Sequence, residues 1–283
     1  VHSVKNDKYY AADTVKLDDV YYYITDDDNA ALQRFRAGEI DVLSNFASDQ
    51  YQLLQDQYPG EAHVFPFLGV YYYVINQTKK PFDDVRVREA LSIAINRKVI
   101  GPDILGTGEL PAYGWVPPGT SNYEGAQYDP AWSHEPYDQR VAEAAKLMEE
   151  AGYTADNPLT LQLRYNTNEN HQRIAVAISA MWEPIHVKVE LFNSDVSTHY
   201  DALQAGDFQV GRAGWIMDYD DASNMLDLLK SGTGNNYGRY SNPEYDALLA
   251  KAATEQDLVK RAGYMHQAEK IAMDEFGVIP IYY

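Results

Sequence analysis

Residues 209–226 read QVGRAGWIMDYDDASNML, an apolar stretch that collapses into acid at Asp218, Asp220 and Asp221. A strand over 208–215 delivers Asp218 to its C-terminal end, where open α/β sheets place their ligand crevices. A carboxylate there, with aromatic neighbours to exclude water, can hold a cation. Trp215 and Tyr219 flank it, and Trp215 suits core packing equally well. The competing use for the acids is a helix start, since Asp220, Asp221 and Ser223 fit a cap and first turn before NMLDLL. We assign those three to the cap and Asp218 to a ligand. Asn235, Asn236 and Tyr237, in GTGNNYGRYSNP, form a polar Gly-rich turn that either faces a cleft or is only a turn.

Enzyme chemistry finds no such support. The chain has no HExxH, GxSxG or P-loop motif. Its seven histidines are scattered, without metal-ligand spacing on a helix face. We therefore expect a non-catalytic protein with no metal and no cofactor. A net charge of −19 argues against nucleic acid and anionic membrane surfaces. No run approaches a membrane span, and the absence of cysteine excludes disulfides and thiolate catalysis. Tyrosine outnumbers phenylalanine 24 to 8. That excess suits a wet, adaptable binding surface as well as strands.

The elements around these residues follow from periodicity. Strands are expected at 15–25, 63–76, 159–166, 187–193, 208–215 and 277–283. Helices are expected at 28–37, 47–57, 83–100, 136–151, 168–182, 195–205, 222–230, 243–253 and 256–275. In the 83–100 helix Val87, Leu91, Ile95 and Val99 recur every four residues. Residues 101–132 form a long Gly/Pro/aromatic loop of the kind that is often functional. The alternation predicts an α/β fold with a largely parallel or mixed sheet. VFPFLGVYYY (64–73) and GVIPIYY (277–283) are similar strands that bracket the residues between them. Side by side they would make a two-strand hinge, which places a boundary near residue 66. The expected division is 1–66 as part of one lobe, 67–280 as a complete lobe, and 281–283 as the start of a return strand.

RFRAGEIDVL, YYYVINQTKKPFDDVRVREALSIAINR, LPAYGWVPPG, AAKLMEEAGY, GRAGWIMDYDDASNML and YSNPEYDALL run in this order along the chain. Together they resemble the peptide-binding proteins of bacterial ABC importers, the cluster C solute-binding proteins. The resemblance implies a periplasmic-binding-protein-like (type II) lobe with part of another. Its members are about twice this length, and the resemblance implies that this chain corresponds to the end of the first lobe and the whole of the second. Val1 without methionine fits a processed, trimmed or excised chain. Tyr10 stands where the family commonly has Trp, His186 where it has Gly, and Asp220 where an amide is usual.

Several roles follow from the resemblance. A free peptide offers an ammonium, a carboxylate and backbone amides, and the residue matching Asp218 takes the ammonium. Trp215 and Tyr219 match pocket walls. The arginine matching Arg212 can take the ligand's carboxylate, against which stands a structural salt bridge. The histidine matching His171 can do the same for longer ligands, against which stands a helix-start or surface role. The implied partners are a peptide, an ABC permease and the missing lobe, in the periplasm or lipid-anchored outside a Gram-positive cell. An exposed cleft face is expected to favour self-association. The alternatives are a lobe used as a scaffold or assembly module, or a site for another small solute such as a metal complex, haem or sugar.

Overall fold

The computed structural model describes residues 1–25, 27–65, 67–123 and 128–283. They fall into two units, Val1–Ala47 and Ser48–Tyr283. Pro66, where the expected boundary falls, lies outside the described residues.

In the first unit β1 (His2–Val4) pairs antiparallel with β2 (Asp19–Tyr21), with the His2 ring stacked on Tyr21 at 4.2 Å. The long strand expected at 15–25 is thus ladder-bonded over only three residues, because its partner is only three residues long. Helix α1 (Asp28–Arg36) begins at Asp27, whose side chain accepts from Ala30 N, and the chain turns at Gly38 with φ +71.

The second unit opens with a 3₁₀ turn, Ser48–Gln50, and α2 (Tyr51–Gln57). Strand β3 (Gly69–Ile75) follows, then α3 (Val85–Ile93), capped by Asp84. The single helix expected over 83–100 is interrupted after α3. The Ser92 carbonyl accepts from both Ile95 N and the Arg97 guanidinium, which closes that turn. A short α4 (Arg97–Val99) then runs into a π-helical turn, Ile100–Leu105, which stops at Gly106. Further along come α5 (Tyr137–Glu150), β4 (Leu159–Asn166), α6 (Glu169–Trp182), β5 (Val187–Ser194), α7 (Val196–Ala205) and β6 (Val210–Ile216). The chain ends with α8 (Ser223–Leu226), α9 (Pro243–Thr254), α10 (Leu258–Asp274) and β7 (Ile279–Tyr282). Asn168, Asp195, Asn242 and Asp257 cap α6, α7, α9 and α10, each accepting from first-turn backbone N–H groups.

Strands β3 to β7 form one mixed sheet in the order β5-β4-β6-β3-β7. β4 runs parallel to β5 and β6, whereas β3 is antiparallel to both β6 and β7. Tyr71–Tyr73 of the first aromatic segment therefore lie beside Ile279–Tyr282 of the second, with Tyr71 opposite Tyr282. The loop after α4 covers the outer edge of β7, where Leu110 exchanges backbone hydrogen bonds with Tyr283 and Ala112 N donates to Ile281 O.

All seven residues of β3 are buried because both sheet faces carry helices. Tyr71, Tyr73 and Ile75 enter the core shared with α3, α5 and α6, while Val70, Tyr72 and Val74 enter the core shared with α9 and α10. Gly211 lets α7 approach β6, since a Cβ there would lie 2.6 Å from Leu203 Cδ2. His186 precedes β5 with φ +64, a conformation that favours the glycine implied there by the resemblance.

Candidate functional site

The C-terminal ends of β4, β5, β6 and β7 and the N-terminal end of β3 share one edge of the sheet, as the strand directions require. The sequence-predicted site residues associate with this edge as two groups on opposite faces of β6, and Asn236 belongs to neither.

The first group surrounds Asp218, two residues beyond β6. Its backbone N–H donates to Asn224 Oδ1 at 3.3 Å, and the Trp215 indole donates to the same oxygen at 2.7 Å. Asn224 is buried, so one amide fixes both the aromatic wall and the backbone that presents the acid. Asp218 is exposed, and its carboxylate has no hydrogen bond or ion pair among the described residues. Tyr219 is 53% exposed and Ile216 58%, so the edge beside the acid is open and partly apolar.

The neighbouring acids are engaged otherwise than as a simple cap. Asp220 accepts from Ser121 N at 2.8 Å and Ser121 Oγ at 2.5 Å, which ties the long loop to the turn. Asp221 forms a two-pronged pair with Arg261 of α10 at 2.7 and 2.8 Å, and also accepts from Ser223 N. Burial opposes its charge, but the Arg261 and Ser223 hydrogen bonds prevail and hold its carboxyl down to about 2. The cap assigned to Asp220, Asp221 and Ser223 therefore reduces to one bond from Asp221. α8 itself starts after Ala222 without a side-chain cap.

The second group surrounds Arg212. Its guanidinium lies 4.8 Å from the Tyr71 ring centroid and donates to Asn166 Oδ1 at 3.1 Å and Tyr200 Oη at 3.3 Å. Its Nε is buried without a partner. Among the described residues no carboxylate lies within 4.0 Å of it, so the expected alternative of a structural salt bridge has no acid here. His171 joins the group through Tyr71, at 5.4 Å between rings, and its Nδ1 is also buried without a partner. The cap of α6 is Asn168, not His171. Burial, with Arg212 and His199 nearby, pushes the His171 imidazole down to about 2. His199 is fully buried and donates from Nε2 to the Arg212 carbonyl at 2.7 Å, and burial pushes it down to about 4. The group thus holds a half-buried cation, two neutral imidazoles and unfilled polar atoms, an arrangement able to receive an anion.

Asn236 lies in the interior. It is 3% exposed, and its amide donates to the carbonyls of Leu229, Lys230 and Tyr240 and accepts from Tyr240 N. Of the two uses expected for Asn236, the structure shows the turn: its side-chain amide is taken up by Leu229, Lys230 and Tyr240. Asn224, Asn166 and Tyr200 were missed by sequence reasoning. Asn166 had a legible signal, as the polar end of the strand LTLQLRYN. Among the described residues no cluster of three or more His, Asp or Glu side chains could hold a metal, and no helix is long and apolar enough to cross a membrane.

Residues 1–237 match the bacterial extracellular solute-binding proteins, family 5 Middle, and the chain belongs to that family. It is a family of solute-binding proteins, not of enzymes. The periplasmic oligopeptide-binding protein OppA of Haemophilus influenzae is 41% identical over 256 residues, which are 88% of this chain and 47% of that protein. The periplasmic murein peptide-binding protein MppA of Escherichia coli is 38% identical over 280 residues, 99% of this chain and 52% of that one. The crystal structure of H. influenzae OppA in complex with RPPGFSPFR superposes with a TM-score of 0.94 at 34% identity, covering 99% of this chain and 55% of that chain. The chain spans about half the length of the curated relatives it matches.

Proposed function

We propose that this chain supplies one wall of a peptide site in a solute-binding protein that delivers peptides to an ABC import permease. Under this reading residues 1–66 belong to the first lobe, 67–280 form the second, and 281–283 begin the return strand. The antiparallel pairing of Tyr71 with Tyr282 supports a two-strand hinge at that place. The observation that carries the reading is Arg212, a half-buried guanidinium with an unfilled Nε and, among the described residues, no carboxylate within 4.0 Å. A lone cation taken from water is costly. A ligand carboxylate arriving from the open edge is the counter-charge it lacks, with His171 beside it for a ligand of different length. Asp218, whose carboxylate has no partner among the described residues, receives the ligand's ammonium between Trp215 and Tyr219. Closure of the lobes buries the peptide and presents it to the permease. The periplasmic relatives support a periplasmic site of action, or an extracellular lipid-anchored one in a Gram-positive cell.

Peptides with free, N-acetylated and C-amidated ends, titrated into the two-lobed protein by calorimetry, test this assignment. Acetylation should remove the contribution of Asp218 and amidation that of Arg212. Equal affinity for all three forms would overturn it.

A further inference from the structure

The long loop after α4 converges on a charge that the site does not use. Glu269 of α10 is fully buried, and its two oxygens are divided between tasks. Oε1 accepts from Trp115 N at 2.6 Å and Val116 N at 2.9 Å, while Oε2 accepts from Tyr123 Oη at 2.7 Å. Gly114 leaves room for this approach, because a Cβ there would stand 3.0 Å from Oε1. From that anchor the loop reaches the turn that carries Asp218. The Trp115 indole donates to Met225 O at 2.6 Å and its ring meets Tyr72 edge-on at 4.7 Å. Ser121, two residues before Tyr123, holds Asp220 through both its N–H and its hydroxyl. The same helix grips the other flank of the turn, where Arg261 pairs with Asp221.

We infer that Glu269 is a positioning residue for the Asp218 site: it ties residues 115–123 to α10, and Ser121 transmits that restraint to the 218–221 turn. The inference rests on the reading of Asp218 as a ligand group. The mechanical part does not need a ligand. Burial raises the carboxyl of Glu269, and the hydrogen bonds from Tyr123, Val116 and Trp115 oppose that rise. A fully buried acid with its oxygens occupied in this way is costly as a mere filler of the core. Its gain is the fixed course of a loop that has little regular structure of its own. Asp220 alone could not supply this, since Ser121 belongs to the loop and would drift with it.

The test is hydrogen exchange on the 283-residue chain without ligand, for Glu269→Ala, Glu269→Gln and Tyr123→Phe. Glu269→Ala should raise exchange by about tenfold at 115–123 and 217–224 while β4 and β5 keep theirs. Glu269→Gln should retain wild-type protection, because its amide oxygen still accepts from both backbone N–H groups and its NH₂ can donate to Tyr123 Oη. Should Glu269→Ala fail to fold, Tyr123→Phe removes the Oε2 contact alone and should raise exchange in the same two segments by about threefold. Exchange that rises evenly across the sheet, or at 115–123 without 217–224, or fails to be rescued by glutamine, would overturn the inference. Because no peptide is present, a failed ligand assignment for Asp218 leaves this result untouched. Peptide affinity of Glu269→Ala in the two-lobed protein then reads the ligand assignment separately.

Discussion

The indole of Trp215 and the side-chain oxygen of Asn224 meet at 2.7 Å, and that oxygen also receives the backbone N–H of Asp218. One buried amide therefore aligns an aromatic wall with the residue whose carboxylate is unpaired among the described residues. Replacing Asn224 with leucine should leave both donors unsatisfied and lower stability by about 1–3 kcal/mol. The Trp215 fluorescence should change with it. Chemical denaturation and emission spectra check the pair of effects, and an unaltered spectrum would separate Trp215 from Asn224.

Asp218→Asn keeps the shape of the turn and removes its charge. In the two-lobed protein peptide affinity should fall by about 2–5 kcal/mol, the range for losing one partner of a desolvated charge pair. Melting temperature should stay put, because the exposed carboxylate makes no bond to the described residues. Calorimetry and thermal melts on the same protein check this, and unchanged affinity removes Asp218 from the site.

Arg212→Met should behave in the opposite sense to an ordinary core mutation. It removes a half-buried cation with no carboxylate within 4.0 Å among the described residues, and keeps an apolar stem over Tyr71. Stability should hold or rise by about 1 kcal/mol, while affinity for peptides with a free carboxylate falls. A destabilised variant with full affinity would show that the guanidinium serves the fold through Asn166 and Tyr200.

Stability should depend on pH through His199 and His171. In the unfolded chain both imidazoles titrate near about 6.5, whereas burial pushes them down to about 4 and about 2 in the folded one. Between those limits the unfolded chain binds more protons, so this contribution is complete above about pH 6.5 and declines as pH falls toward 4. A ligand carboxylate beside His171 would raise its folded pKa and flatten that decline. Urea unfolding from pH 7.5 to 4.5, with His199→Gln as control, checks the slope.

The exposed edge, where Ile216 and Tyr219 stand open beside Asp218, is expected to drive self-association. Light scattering over a concentration series should show growing mass, and Ile216→Ser should reduce it. A constant monomer mass would count against the open edge as a sticky surface.

What was legible in the sequence was local. Strand LTLQLRYN and helices 168–182 and 243–253 stand within a residue or so of their expected places, because period and capping residues act over a few positions. The strand-end location of Asp218 was readable for the same reason. Sequence period overextends the 83–100 helix because its apolar spacing continues past Ile93, while its end is set by Arg97 turning back to Ser92 and across to Pro280. Partners distant in sequence were decided only by tertiary packing: Ser121 with Asp220, Glu269 with Trp115, and Asn166 with Arg212 lie 99, 154 and 46 residues apart. Residue type states what each side chain can bond. Whether a partner arrives, as for Asp220, or does not among the described residues, as for Asp218, depends on which elements the sheet order brings together.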